Sequence, residues 1–322
     1  MAQCADLRAK RRTGLATSQG LVSLVFWVST VAVGRDLLES LGPLLGSSLT
    51  FIASGALLVV AATVRARGLG WRHRVSKRHL WICGPLFVAY LGLFYLALGL
   101  AVDRQQAILV GLVNYLWPTW IVLLAIPLQN ARPRPMLFGA GVFLGLAGVS
   151  LAASVSTIGA EGSWSGLVMS LGRGWIPLAL AGAGSLSWGA YSNLAKRFPQ
   201  PASSVAVGLF LLAAGLALLV PGVFQGHTAL WTPRAAAELT YMAIFPTAIA
   251  YTLWDRAMRD GNIAFLGSVS NLVPVASVAL AGSLLAIPLH GRLLVGAAAV
   301  ALGSLACRKS VTLEIGSTHR RG

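Results

Sequence analysis

Acidic residues are scarce in this chain of 322 residues. Asp and Glu together number 9 against 25 Lys and Arg, and charged residues make up 11% of the sequence, compared with roughly 25% in ordinary soluble domains. Hydrophobic residues make up 56%. So few charges exclude a soluble globular domain, and the high hydrophobicity excludes a disordered chain.

Cysteine is also rare. The sequence holds only Cys4, Cys83 and Cys307, with no Cys-x-x-Cys spacing and 5 histidines. That pattern excludes a disulfide framework and a structural zinc site. We therefore expect no metal and no cofactor.

Long apolar segments dominate what is present. A bilayer core about 30 Å thick takes about 20 helical residues. We predict an all-α integral membrane protein with ten transmembrane helices, at residues 13–34, 42–64, 79–100, 105–128, 135–153, 174–195, 202–224, 235–253, 262–287 and 292–307.

The basic residues indicate how these spans are oriented. With ten spans, twenty Lys and Arg fall on the side of both termini, and five fall on the other side: Arg35, Arg104, Arg173, Arg234 and Arg292. Cytoplasmic loops carry the excess of positive charge, so both termini are predicted to be cytoplasmic, in a bacterial inner membrane. The basic segments flank apolar runs, so the expected partner is the lipid bilayer and not nucleic acid.

The two halves of the chain share a residue pattern at a separation of 161 positions. It relates Trp27 to Trp188, Pro85 to Pro246 and Tyr90 to Tyr251, and it repeats Ala-Ile-Pro-Leu at 125–128 and 286–289. A second register of 156 relates Pro118 to Pro274 and Tyr95 to Tyr251, so both registers remain open. We predict a first five-helix repeat at 1–153, a linker at 154–173, a second repeat at 174–307 and a cytoplasmic tail at 308–322. Five is an odd number, so the second repeat is inverted relative to the first.

Several of these residues resemble a known family. The marks are Phe26-Trp27, Trp188-Gly189, Pro118, Pro274 and, most specifically, Val113-Asn114-Tyr115-Leu116-Trp117-Pro118. With them the chain resembles the EamA-type branch of the drug/metabolite transporter superfamily, and within it the YddG-type aromatic amino acid exporters. The resemblance implies a ten-helix exporter with a central cavity.

Ionisable residues are nearly absent from the interiors of the predicted spans. All nine carboxylates fall at or beyond span ends in this assignment, among them Asp36 and Glu238. A buried ionisable group in a membrane usually has a function, so this distribution gives no visible residue for proton or sodium coupling.

The span interiors instead carry aromatic rings and amides at helical spacing. Aromatic faces stack on aromatic ligands, and indole N–H, phenol O–H and amide groups add directional contacts. The same residues also suit ordinary core packing. The candidate substrate-binding residues are Trp27, Tyr90, Phe94, Tyr95, Asn114, Tyr115, Trp117, Trp188, Tyr191, Tyr251, Trp254 and Asn271.

Small residues recur in the fifth and tenth predicted spans. Gly141 and Gly145 form a Gly-x-x-x-Gly pair, and Ala299 and Gly303 form a matching small pair. Such pairs allow helices to approach closely. They fit packing within the bundle, and also a homodimer face, so the chain is expected to be a monomer or a homodimer.

Together these features predict an exporter of aromatic or bulky apolar amino acids. It would work by alternating access through an aromatic-lined cavity, as facilitated transport without ion coupling. The first alternative is an exporter of other amphipathic metabolites or drugs. The second is a membrane-embedded enzyme, for which the sequence offers neither His-Glu-x-x-His nor Gly-x-Ser-x-Gly and no paired carboxylates in mid-span.

Overall fold

A computed structural model describes residues 2–129, 133–156, 164–198, 203–224, 229–261, 266, 269–286 and 290–310. All regular elements in these ranges are helical, which confirms the all-α prediction. The helices are α1 (Ala2–Val28), α2 (Thr30–Leu41), α3 (Pro43–Arg65), α4 (Lys77–Leu100), α5 (Arg104–Asn114), α6 (Trp117–Gln129), α7 (Pro135–Ser156), α8 (Trp164–Arg197), α9 (Ser203–Phe224), α10 (Pro233–Met242), α11 (Ala250–Asp260), α12 (Val273–Leu284) and α13 (Gly291–Ser310). Tight 3₁₀ turns cover Leu69–Arg74 and Ser270–Leu272, and a wide π-helical turn, Ala243–Ile249, joins α10 to α11.

Side-chain caps set the starts of three helices that matter below. The hydroxyl of Ser76 accepts a hydrogen bond from the N–H of His79 before α4. Before α5, the carboxylate of Asp103 accepts a hydrogen bond from the backbone N–H of Gln106. Before α10, the hydroxyl of Thr232 accepts one from the backbone N–H of Ala235. Each cap pairs a backbone donor that the first turn of a helix leaves unsatisfied.

Within the described ranges, six helical segments are long and apolar enough to cross a membrane: Pro43–Arg65, Lys77–Leu100, Gln106–Leu128, Pro135–Ala152, Ser204–Phe224 and Gly291–Ser310. A seventh consists of α1 from Arg11 onwards together with α2, which meet at an angle of 44°. Each of these seven coincides with one of the ten predicted spans. The chain is therefore a multi-pass membrane protein.

The other three predicted spans are less regular. α8 contains a non-helical residue, Gly174, and extends back to Trp164, inside the segment expected as a linker. The span at 235–253 is divided among α10, the π turn and α11, because Pro246 lacks the N–H that an α-helix needs. The span at 262–287 contains α12, and residues 262–265, 267–268 and 287 lie outside the described residues. Residues 157–163 of the expected linker and 311–322 of the expected tail also lie outside them.

The most extensive helix contacts join elements that are far apart in sequence. α7 packs against α13, α3 against α9, α4 against α8, and α1 against α11. In terms of the predicted spans, these pairs are the fifth with the tenth, the second with the seventh, the third with the sixth, and the first with the eighth.

Glycines bring α7 and α13 into backbone contact. A Cβ atom built on Gly303 would lie 2.6 Å from the carbonyl oxygen of Gly141, and one on Gly296 would lie 2.6 Å from that of Gly148. No side chain fits between backbones at that distance. The Gly141-x-x-x-Gly145 pair thus packs within the chain, against the small residues of α13.

This contact predicts that Gly141→Ala destabilises the protein. The new Cβ would lie 2.7 Å from the backbone nitrogen of Cys307 and 2.8 Å from the Gly303 carbonyl oxygen. We expect a loss of about 1–3 kcal/mol of stability, seen as a lower melting temperature of the purified protein. Gly139→Ala, two residues away with nothing within 4 Å, is the matched control and should melt at or slightly above the wild-type temperature. Equal melting temperatures for the two variants would contradict the close contact.

Candidate functional site

A cavity of about 50 Å³ lies among α1, α2, α4, α5, α6, α8, the π turn and α11. Twelve of the residues that the structure describes line it: Trp27, Thr30, Val31, Tyr90, Phe94, Tyr95, Asn114, Tyr115, Trp117, Trp188, Pro246 and Tyr251. None of these described lining residues carries a charge at neutral pH.

Aromatic rings form most of the wall and pack on one another. The ring of Trp188 lies 4.7 Å from that of Tyr90 and 5.9 Å from that of Tyr251, measured between centroids. Trp27 lies 5.3 Å from Tyr251 on the other side. These tilted contacts are favourable arrangements of aromatic pairs. They hold the rings in place, because each ring is confined by its neighbours.

Breaks in three spans supply the rest of the wall. The bend at Ser29 places Thr30 and Val31, the first residues of α2, on the cavity. The break between α5 and α6 contributes Tyr115, and the π turn contributes Pro246. Irregular backbone at membrane depth is tolerated where it lines a cavity or is paired by protein groups.

Side chains from α1 and α3 donate to carbonyl oxygens along the irregular α10–α11 segment. The indole N–H of Trp27 donates to the carbonyl oxygen of Pro246 at 3.0 Å. The hydroxyls of Ser54 and Ser23 donate to the carbonyls of Ala243 and Ala250, at 2.8 and 2.9 Å. Two of these hydrogen bonds therefore hold the wide turn, and the third holds the first residue of α11.

Polar groups on the cavity wall are few. The side-chain oxygen of Asn114 and the hydroxyl of Thr30 are both buried and have no hydrogen-bond partner among the described residues. The hydroxyl of Tyr90 lies beside the side chains of Asn114 and Tyr251. With aromatic faces, amide and hydroxyl groups, the site can bind an amphipathic molecule, but its described residues provide no general acid, base or nucleophile pair.

Nine of the twelve residues predicted from the sequence lie on this cavity. The other three residues do not line it. Tyr191 packs against Trp188, and Trp254 packs against Trp27, so both rings lie behind the wall. Asn271 lies in the turn before α12, where it is buried. A role in binding remains a prediction for all twelve.

The cavity is also lined by Thr30, Val31 and Pro246, which are not among the twelve predicted residues. Thr30 follows Trp27 by three positions, so helical spacing placed both on one face. Pro246 pairs with Pro85 in the 161-residue register. Neither signal distinguishes a cavity wall from ordinary packing.

A cluster of ion pairs lies further along α2, beyond the cavity. Arg104, before the apolar part of its span, donates to both oxygens of Glu39 and, at 2.9 Å, to Asp36. Arg234 pairs with Asp36 and, at 2.8 Å, with Glu238. Hydrogen bonds to Glu39 and Glu238 raise the pKa of Arg104 and Arg234, respectively. With Arg35, the cluster balances three arginines against three carboxylates.

Arg35 is the buried member of the cluster. Its guanidinium donates to Glu39 at 2.8 Å and to the carbonyl oxygens of Leu98 and Ala101 at 2.8 and 2.9 Å. Those carbonyls end α4 and have no helical partner of their own. Arg35 thus fastens the end of α4 to α2.

A second hollow of about 80 Å³ adjoins the cluster. It is lined by Ala32, Val33, Asp36, Arg234, Glu238, Leu284 and Leu285. The hollow begins on α2 where the main cavity ends, since Thr30 and Val31 line the cavity and Ala32 and Val33 line the hollow. It therefore lies between the cavity and the ion pairs.

With this geometry established, comparison with known proteins identifies the family. The model of the EamA-like transporter family matches residues 175–307. An aromatic amino acid exporter, YddG, from Salmonella typhimurium is 31% identical over 91% of this chain and 96% of its own length. The chain belongs to the EamA-like transporter family.

Other relatives agree with this membership. The aromatic amino acid exporter YddG of Ancylobacter novellus is 32% identical over 89% of this chain and 96% of its own length. An inner membrane transporter of Escherichia coli, YedA, whose activity is uncharacterised, is 26% identical over 80% of the chain and 78% of its own length. A crystal structure that shares 26% identity superposes with a TM-score of 0.66 over 91% of this chain and 96% of the other.

The burial of Arg35 generates a stability prediction for this EamA-like protein. Arg35→Met would leave the carbonyls of Leu98 and Ala101 unpaired, at about 1–3 kcal/mol for each buried group. We expect a clearly lower melting temperature of the purified protein. Arg12→Met is the control: Arg12 is exposed and paired with Asp260 at 2.9 Å, and such a surface pair contributes at most about 1 kcal/mol. If both variants melt like the wild type, Arg35 does not hold α4.

Proposed function

We propose that this protein exports aromatic or bulky apolar amino acids across the bacterial inner membrane by alternating access. The observation that carries the proposal is the uncharged cavity walled by Tyr90, Trp188 and Tyr251. Aromatic side chains stack on such rings, while the few polar groups suit the amino acid backbone. The names of the YddG relatives support the same substrate class.

The proposed architecture is ten spans in two inverted five-helix repeats, at 1–153 and 174–307. A two-fold axis that exchanges the halves would turn span n into span n plus five. It would map the α3–α9 and α7–α13 contacts onto themselves and exchange the α4–α8 contact with α1–α11. The main contacts all fit that relation, which supports the inverted repeat.

The orientation of this architecture follows from the charges. The proposal places both termini in the cytoplasm, because twenty basic residues share their side. Arg35, Arg104 and Arg234 then belong to the extracytoplasmic side, where each is neutralised by a carboxylate of the cluster. The ion pairs between α2, α5 and α10 would close the cavity on that side and separate when it opens outward.

The proposal includes no ion coupling. Asp36 and Glu238, in the ion-pair cluster, are engaged by Arg104 and Arg234 and do not line the cavity. Ion-coupled transporters bind protons or cations at ionisable groups near the substrate. A zwitterion of no net charge would then move down its own gradient.

The aromatic wall predicts how substitutions change selectivity. Trp117→Ala and Trp188→Ala each remove one ring from the cavity, and we expect about a five-fold weaker apparent affinity for tryptophan, equivalent to about 1 kcal/mol. The measurement is counterflow of labelled tryptophan in proteoliposomes at equal protein levels. Trp81→Ala, which removes a ring that is 80% exposed on α4, is the matched control and should leave counterflow unchanged. If the affinity for tryptophan is unaltered in both cavity variants, the two rings serve in packing and not in binding. If the protein exchanges a cationic drug and not tryptophan, it is an exporter of other amphipathic metabolites or drugs.

The absence of charge from the described cavity wall predicts how transport is driven. Efflux of phenylalanine from proteoliposomes should persist with a protonophore present, with sodium replaced, and with the membrane potential clamped at zero. Accumulation of phenylalanine against its gradient after a pH step would contradict this prediction. If Asp36→Asn or Glu238→Gln then abolished the accumulation, that residue would be the coupling group.

A further inference from the structure

Asn114 is the feature of the cavity that ordinary packing does not explain. Its side chain is 6% exposed and lines the cavity, and its Oδ1 atom has no hydrogen-bond partner among the described residues. A buried acceptor without a partner is costly, so such atoms usually have a purpose. An amide oxygen can only accept, so its missing partner is a donor.

The position of Asn114 adds to this acceptor. It is the last residue of α5, at the negative end of the helix dipole, where a cation is favoured. Pro118, four residues later, has no N–H to donate to the backbone carbonyl of Asn114. Two features of the same residue therefore favour a positively charged donor.

Thr30 provides the complementary group on the same cavity. It is the first residue of α2, the positive end of that helix, and its hydroxyl also has no partner among the described residues. Its neighbour Val31 packs directly on Gly111, one turn before Asn114. A hydroxyl can donate to a carboxylate, so the beginning of α2 suits an anion while the end of α5 suits a cation.

We propose that Asn114 and Thr30 form the polar end of the cavity and bind the two charged groups of a zwitterionic α-amino acid. Asn114 Oδ1 accepts from the ammonium group, and the hydroxyl of Thr30 donates to the carboxylate. This inference rests on the proposed function and assigns the recognition of the amino acid backbone to two residues. The side chain of the substrate then lies among Tyr90, Trp188 and Tyr251.

The test uses three ligands that differ only in these charges. L-tryptophan has both groups, tryptamine lacks the carboxylate, and indole-3-propionate lacks the ammonium. Their dissociation constants are measured by displacement of labelled L-tryptophan from the purified full-length protein in lipid nanodiscs. For the wild type, both analogues should bind more weakly than tryptophan. If the wild type does not bind labelled L-tryptophan, the proposed function itself is wrong. If it binds tryptophan, the analogues and variants test the polar end alone.

Each variant should affect only the ligands that carry its group. Asn114→Leu should weaken tryptophan and tryptamine tenfold or more and leave indole-3-propionate within about twofold. Thr30→Val should weaken tryptophan and indole-3-propionate and spare tryptamine. Asn114→Asp keeps the acceptor and adds a negative charge, so it should strengthen tryptamine binding even if Asn114→Leu does not fold.

The control is a second buried asparagine outside the cavity. Asn193 on α8 donates to the carbonyls of Ile121 and Gly189, at 3.1 and 2.9 Å. Asn193→Leu should change the binding of all three ligands by the same factor. If the Asn114 variants also shift all three ligands equally, or shift none, the assignment of the ammonium group to Asn114 is overturned.

Discussion

The structure depends on one constraint, that a bilayer offers no partner to exposed backbone groups. Where a span is interrupted, neighbouring side chains or a cavity must take up the carbonyls and amides. Around Pro246, Trp27 and Ser54 meet this requirement by donating to two carbonyls of the π turn, and Ser23 donates to the carbonyl of Ala250 at the start of α11. Trp27 is at once a structural donor and part of the cavity wall, so the interruption and the binding surface are built from the same contacts.

The same constraint governs the end of α4 and the ion-pair cluster. Arg35 satisfies the terminal carbonyls of α4 and also pairs with Glu39, which links helix termination to the charge network. The cluster is balanced in charge and joins helices from both halves of the chain. Contacts of this kind hold one conformation without large apolar burial, and they can separate in water once the helices part. A closure made of ion pairs is therefore suited to a transporter that has to open on that side.

Much of this could be predicted from the sequence, and the reasons are physical. Apolar length and basic flanks predicted the helices, because both follow from the bilayer directly. The rings of Tyr90, Trp188 and Tyr251 were predicted through their spacing and the repeat. The bend at Ser29 was not, since neither glycine nor proline marks it, and Thr30 and Val31 are absent from the predicted site residues. The pairing of Arg104 with Glu39, 65 positions away, depends on a tertiary contact that a local pattern does not encode.

The central claim is that the aromatic cavity is where the substrate binds, with its polar end at the breaks in the spans. The most direct test is a structure of the protein determined with L-tryptophan bound. The account predicts density for the indole among Tyr90, Trp188 and Tyr251, with the amino acid backbone at Asn114 and Thr30. Density for tryptophan at any other place, with these rings packed together and the cavity closed, would contradict it.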